Sequence, residues 1–368
     1  MDPEIFFNGR CGMVRYYSVL ARELAKRGMR VTVPLLVSES DFIAGRWQFL
    51  RTWNRWTPRD ALLRIMRRLS KRWYYANVRK GAYDVLLLTS PVFEDEVLRH
   101  LPANKPCAMV VHDTMRCVLG PDGLFDPAGP HADRLAYLAA RAASVICISE
   151  HTKQDLLRLV PGLEGVCTTL YTGNLLGTGL GGIAPREKLP KRYLLFVGER
   201  TGRKNFRFTM QALAGWLREQ PDLGLVCTGR TNRWEQHALE MYGVQNKIVF
   251  IEADDEHLAY LYRHALALIY PSLYEGFGLP VLEAMASGCP VIASRCGALE
   301  EVGGDAVCYI DPLDKDSIVK AVRRLAEDRA YAGRLAEAGK QRADCFTLDA
   351  MMDRFASHLR QLGERAQP

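Results

Sequence analysis

One stretch constrains the fold of this 368-residue chain more than any other: residues 265–297, ALALIYPSLYEGFGLPVLEAMASGCPVIASRCG. Ala265–Tyr270 is a short apolar run stopped by Pro271, the pattern of a strand buried on both faces. Gly276 and Gly278 let the backbone turn in ways closed to other residues. Pro280 suits the start of a helix whose apolar face is Val281, Leu282, Ala284 and Met285. Gly288 ends that helix, and Pro290–Ser294 begins another strand. Strand, glycine loop, helix, strand is half of a doubly wound α/β sheet, in which ligands collect at the carboxyl ends of the strands.

Two carboxylates bracket the loop, Glu275 before it and Glu283 in the expected first turn of the helix. Loop amides and a positive helix end attract phosphate oxygens, and a neighbouring carboxylate can accept hydrogen bonds from sugar hydroxyls. The same residues can equally be a dipole-complementing glutamate and ordinary turn glycines. The whole string EGFGLPVLEAMASGCPVIAS, however, resembles the signature of the family-4 retaining glycosyltransferases. That resemblance implies a GT-B fold: two Rossmann-like doubly wound parallel-sheet domains facing each other across a cleft.

The length agrees with two domains, because a single core stops growing well below it. Apolar residues make up 48% and charged residues 25%, as in a globular protein. No apolar run approaches the roughly 18–20 residues needed to span a bilayer. MDPEIFFNGR places acidic residues where a signal peptide needs basic ones. The ten cysteines fall singly, without zinc spacing, and read as reduced thiols. A cytoplasmic protein is the expectation.

Alternating strand and helix patterns predict an N-terminal Rossmann-like domain over 1–175. Its expected elements are a short strand at Ile5–Phe7, a helix after Gly12, and strands at Val31–Val37, Tyr83–Leu88, Pro106–Val111 and Ser144–Ile148. The glycine-rich 176–190 reads as a linker. A second, nucleotide-sugar-binding domain follows over 191–345, and 346–368 carries a C-terminal helix expected to cross back to the first domain.

LFVGERTGRKN, at 195–205, sets Arg200, Arg203 and Lys204 just after Gly198 at a strand end, where fixed cations can hold a diphosphate. A solvated basic turn has the same composition; resemblance to the family's donor-phosphate loop favours the first reading. By that resemblance Arg200 and Lys204 hold the diphosphate, with Gly198 and Arg203 beside them, and Glu283 binds the ribose. Glu275 with Gly276, Phe277, Gly278 and Leu279 cradles the donor sugar, while the base lies near Ile251. His112, just after a strand, faces the sugar, and Gly12 of the first loop approaches phosphate. The family pattern Gly-Gly-x-Gly-Arg reads Cys11-Gly12-Met13-Val14-Arg15 here, so only Gly12 and Arg15 match. No metal or other cofactor is implied; Asp254 and Asp255 read as a helix start.

Residues 46–80 hold eleven Lys/Arg against one acid, Asp60, with four of the chain's six tryptophans. Leu62, Ile65, Met66, Leu69 and Trp73 share one helical face, while Arg64, Arg67, Arg68, Lys71 and Arg72 fill the others. A solvated helix face, a nucleic-acid patch and a membrane-surface patch all fit that composition. With Trp53 and Trp56 added, the membrane reading fits an enzyme with a lipid-linked acceptor, and no nucleic-acid partner is expected. The implied activity is retaining, metal-independent transfer from a GDP- or dTDP-sugar, GDP-mannose foremost, to a lipid-linked or saccharide acceptor in surface polysaccharide or glycolipid assembly. It would act on the inner face of the plasma membrane. A UDP-sugar enzyme, a GT-B phosphorylase or sucrose-type synthase, and a non-catalytic adaptor are the rivals.

Overall fold

The computed structural model describes residues 1–7, 12–34, 59–89, 96–118, 130–177, 180–200 and 202–365. The chain divides into two compact units, Met1–Tyr171 with Asp349–Pro368, and Thr172–Leu348.

In the first unit helix α1 spans Gly12–Lys26, α2 Arg59–Lys80, α3 Met115–Val118, α4 Pro130–Ala139 and α5 Glu150–Leu159. Four parallel strands, β1 Leu86–Leu88, β2 Cys107–Val111, β3 Ser144–Cys147 and β4 Cys167–Thr169, lie in the order β1-β2-β3-β4. Every residue of β1, β2 and β3 is buried, which is why these segments read as unbroken apolar runs. The C-terminal helix Leu348–Arg365 joins this unit. Arg27 pairs with its Asp349 and Asp353 at 2.9 and 2.8 Å, and its His358 Nε2 shares a 2.7 Å hydrogen bond with Ser144 Oγ.

Two expected strands of this unit need correction. Ile5–Phe7 belongs to one 3-10 turn, Glu4–Phe7, whose Phe6 N–H donates to Pro3 O at 3.0 Å. Ile5 and Phe6 are apolar because they are buried, not because they pair. Val31–Pro34 joins no ladder, and the rest of Val31–Val37 lies outside the described residues.

The second unit holds six parallel strands, ordered β10-β9-β8-β5-β6-β7. They are β5 Arg192–Phe196, β6 Leu223–Thr228, β7 Ile248–Ile251, β8 Ala267–Tyr270, β9 Val291–Ser294 and β10 Cys308–Ile310. Its helices are α6 Phe206–Glu219, α7 Arg233–Met241, α8 Asp255–His264, α9 Leu279–Ala286, α10 Ala298–Gly303, α11 Lys315–Glu327 and α12 Arg329–Ala343. From β5 the sheet grows one way through β6 and β7 and the other way through β8, β9 and β10. The gap between β5 and β8 is therefore the topological switch point, where strand-end loops diverge and leave a crevice. The glycine-rich 180–190 segment is tied to α8: Gly182 and Ile183 N–H groups donate to Glu256 at 2.9 and 3.2 Å.

Candidate active site

Two loops leave the switch point, 197–205 after β5 and 271–278 after β8. In the first, Gly198 takes φ 114°, and a side chain there would meet Lys204 Cε at 3.6 Å. A 3-10 turn, Gly202–Lys204, then delivers Arg203 and Lys204, and Asn205 enters α6 at φ 56°. Asparagine tolerates this left-handed geometry better than most residues, and its side-chain amide donates to Pro312 O at 2.7 Å. In the second loop Gly278, at φ 93°, stands just before α9; a Cβ on it would come 2.4 Å from Leu299 Cδ2. Only glycine fits this place.

These loops bring three predicted residues onto one point. Lys204 Nζ and Arg203 Nη1 each lie 2.7 Å from Glu275 Oε1. Lys204 also donates to the Tyr270 hydroxyl, and Arg203 reaches Tyr274 O at 3.3 Å. Lys204 is 8% exposed and Glu275 6%, whereas the Arg203 side chain is 31% exposed. Burial pushes the Glu275 carboxyl up, but Lys204 and Arg203 more than offset it and hold the group below its usual range. For Lys204 burial wins: the amine is lowered, with Glu275 opposing and Arg203 adding to the fall. The directions agree physically, since two cations share one carboxylate. The trio keeps one positive charge in excess, a ready counter-charge for phosphate oxygens.

Arg200 goes elsewhere. Its Nε lies 2.8 Å from Glu235 Oε1 and its Nη2 3.2 Å from Oε2, while the fork also donates to the carbonyls of Thr228 and Arg230. The guanidinium packs 4.9 Å from the Phe250 ring centroid, and only 6% of the side chain is exposed. Glu235 also closes the capping box of α7 with Asn232. Arg200 thus pins the start of α7 to the end of β6, and its neighbour Arg203 stands at Glu275.

Glu283 is the fifth residue of α9, past the first turn, which carries no acid. It is 3% exposed and accepts a 3.1 Å hydrogen bond from Tyr262. Gly276 and Phe277 are buried, Leu279 is half-buried, and the Phe277 ring meets Phe346 edge-on at 5.8 Å. Ile251 ends β7, its carbonyl accepting from Gly229 N–H at 2.7 Å. Asp254 is the N-cap of α8, accepting from His257 N–H at 3.0 Å.

In the first unit His112 follows β2. Its Nε2 shares a 3.0 Å hydrogen bond with the Tyr17 hydroxyl, and the Tyr16 and Tyr17 rings meet it edge-on at 4.7 and 5.3 Å. Burial pushes the imidazole down to about 4, so it is neutral at pH 7. Asp113 accepts from Met115 N–H at 3.2 Å, a cap on α3. Gly12 opens α1, exposed, with no atom within 4 Å of where a Cβ would stand. Trp53 and Trp56 lie outside the described residues, as do the surroundings of the Arg64 side chain. Along α2, Ile65, Leu69 and Trp73 are 52%, 42% and 37% exposed, while Tyr74 and Val78 face the core. Arg68 and Arg72 are exposed beside that ridge; Arg67 and Lys71 are half-buried.

Sequence reasoning missed Tyr262, Tyr270, Glu235 and Tyr17. Tyr270, a polar ring ending an apolar strand, carried a signal; the others stand far in sequence from the groups they touch.

Comparison with known proteins agrees with this geometry. Residues 184–342 match the profile described as Glycosyl transferases group 1, and residues 11–173 that described as Glycosyltransferase Family 4. The chain is 30% identical over 203 residues to O-antigen chain mannosyltransferase B of Escherichia coli, covering 52% of this chain and 53% of that protein. It is 33% identical over 146 residues to O-antigen chain mannosyltransferase RfbU of Salmonella typhimurium, covering 39% and 40%. These matches span about half or less of either relative's length. Sucrose-phosphate synthase of Thermosynechococcus elongatus superposes over 98% of this chain and 96% of its own, with TM-score 0.74 and 22% identity. WaaG, a glycosyltransferase involved in lipopolysaccharide biosynthesis, covers 95% and 96% with TM-score 0.66 and 18% identity. With residues 11–173 and 184–342 matched by these two profiles and a parallel sheet flanked by helices in each unit, the chain belongs to the family-4 glycosyltransferases of GT-B fold.

Proposed function

We propose that this chain is a retaining glycosyltransferase that moves a hexose from a nucleotide-diphosphate donor to a lipid-linked or saccharide acceptor in surface polysaccharide or glycolipid assembly. The observation that carries the reading is the buried Lys204–Glu275–Arg203 cluster at the switch point. Its excess cation suits the diphosphate that departs when the anomeric C–O bond breaks. Lys204 and Arg203 hold the phosphates, while Arg200 acts one step back by fixing the loop. Glu275 orients the two cations and accepts from sugar hydroxyls; Glu283, steadied by Tyr262, accepts from the ribose. The acceptor oxygen bonds to the anomeric carbon on the face the phosphate leaves, and its proton passes to a phosphate oxygen. Neutral His112 contributes a hydrogen bond rather than a charge. Two cations at the diphosphate suit a reaction without a divalent metal.

The O-antigen mannosyltransferase relatives favour mannose as the sugar moved, and the donor proposed is GDP-mannose or a related GDP- or dTDP-sugar. Among the described residues no helix is long and apolar enough to cross a membrane. The exposed Ile65–Leu69–Trp73 ridge beside Arg68 and Arg72 supports peripheral binding to an anionic inner-leaflet surface, which would bring the protein to the membrane that carries a lipid-linked acceptor.

A thermal-shift panel of GDP, UDP, dTDP and ADP, with and without magnesium, tests the donor. A ligand specific to the native state adds about 2.7 kcal/mol at a hundredfold excess over its Kd. A selective shift with GDP or dTDP, unchanged by magnesium, is expected. A UDP shift would reassign the donor class, and silence from all four would point to an adaptor. The anomeric configuration of the product, read by NMR, tests retention.

A further inference from the structure

Beyond the ladder of the second sheet, the ends of β6 and β7 stay side by side: Gly229, at φ 87°, donates its N–H to Ile251 O at 2.7 Å. The next residue on each is charged, and Arg230 Nε lies 2.7 Å from Glu252 Oε2. The backbone beneath the pair is fixed, because Arg200 donates to the carbonyls of both Thr228 and Arg230. The two side chains themselves are 82% and 62% exposed. An ion pair so exposed adds little to stability, so the fold gives no strong reason for it. It stands at the carboxyl ends of the strands, on the side where a doubly wound sheet takes its ligand. β7 is two strands from β5, about 10 Å away.

We propose that Arg230 and Glu252 read the base of the donor and select guanine, an inference that rests on the nucleotide-sugar reading above and narrows its donor to a GDP-sugar. A nucleotide with its phosphates at the Lys204–Arg203 cluster and its base carried towards Ile251 brings the edge of that base to this pair. The edge of guanine presents two acceptors, N7 and O6, and then two donors, N1–H and the 2-amino group. The pair offers the complement in the same order, guanidinium donors beside carboxylate acceptors. Its ion pair uses Nε and Oε2, which leaves the two Nη amines and Oε1 for the base. Uracil and thymine present one N–H between two carbonyl oxygens, and those oxygens would repel the carboxylate. Adenine gives the carboxylate one amino group where guanine gives it two adjacent donors.

Calorimetric titration of the full chain with GDP, inosine diphosphate, UDP, dTDP and ADP is the test. Inosine diphosphate differs from GDP only in lacking the 2-amino group. GDP is expected to bind about tenfold or more tighter than inosine diphosphate, the scale of one hydrogen bond to a charged group, and tighter than the other three. Glu252→Gln should weaken GDP about tenfold or more and remove most of its advantage over inosine diphosphate. Arg230→Gln should weaken GDP and inosine diphosphate alike, because O6 and N7 are common to both. Tm should hold in both variants, because the pair is exposed. A preference for GDP over inosine diphosphate that survives Glu252→Gln overturns the proposal, as does an Arg230→Gln variant with unchanged affinity. Tighter binding of UDP or dTDP than of GDP overturns it too, while leaving the glycosyltransferase reading in place. Silence from all five nucleotides removes that reading and this inference together.

Discussion

Lys204 Nζ lies 2.7 Å from Glu275 Oε1, although 71 residues separate the two in sequence. Both are buried, one from each loop flanking the switch point between β5 and β8. Breaking a buried pair from one side strands a charge and costs about 3–5 kcal/mol. Glu275→Gln and Lys204→Met are therefore each expected to lower stability on that scale. The double variant should lose less than the sum, with a coupling of about 0.5–3 kcal/mol in urea unfolding. Additive losses would mean that the two groups are not coupled in solution.

Arg200 and Arg203 should separate cleanly. Arg203→Ala removes a partly exposed cation from the cluster. It is expected to weaken nucleotide-diphosphate binding tenfold or more, the loss of about 1.5–3 kcal/mol for a charged hydrogen bond, with little change in Tm. Arg200→Ala strands Glu235, which is 2% exposed, so Tm should fall while the folded fraction keeps its affinity. The opposite outcome in calorimetric titration would return the diphosphate to Arg200.

His112 sets a pH dependence whose sign follows from burial. Its folded value of about 4 lies below the usual 6.5, so the unfolded chain binds more protons between those values. This contribution is constant above pH 6.5 and falls as the pH drops from 6.5 through 4. His112→Gln, which can still hydrogen-bond Tyr17, should flatten the decline in unfolding free energy between pH 7 and pH 5. An unchanged slope would show that His112 is not buried as described.

Two glycines make an internal control. Gly278→Ala forces a Cβ into Leu299 at φ 93°, and a loss of about 1–3 kcal/mol is expected by thermal unfolding. At Gly12 there is open space, so Gly12→Ala should leave stability within about 1 kcal/mol. A loss of donor affinity in Gly12→Ala, with Tm kept, would then report ligand approaching that backbone.

For the α2 ridge the measurement is cosedimentation with vesicles. Binding should require anionic lipid and weaken from low salt to 0.5 M, as screening shortens the reach of Arg68 and Arg72. Replacing Ile65, Leu69 and Trp73 by Ser should abolish it without a fall in Tm, since all three are exposed. Equal binding to neutral vesicles would refute the electrostatic part.

What the sequence determined by itself is local in origin. Ala267–Tyr270, α9 and the glycine loop between them follow from apolar runs, Pro280 and two glycines, each acting within a few residues. Cys107–Val111 was legible for the same reason, and Lys204 and Glu275 stood out because they flank strand ends. Tertiary structure decided which arginine meets Glu275. The 3-10 turn at Gly202–Lys204 and the left-handed Asn205 aim Arg203 there, while Glu235, from a helix 35 residues on, captures Arg200. It decided that Ile5 and Phe6 fill a buried 3-10 turn, closed by Phe6 N–H on Pro3 O, rather than the strand that their side chains suggest. It also decided which side of α2 meets the core. Both faces carry large apolar residues, and only packing against the sheet buries Tyr74 and Val78 and leaves Ile65, Leu69 and Trp73 outside. Local pattern names an element because its forces act within a turn or two of chain. Which side chain reaches which partner depends on elements that meet only after the chain has closed on itself.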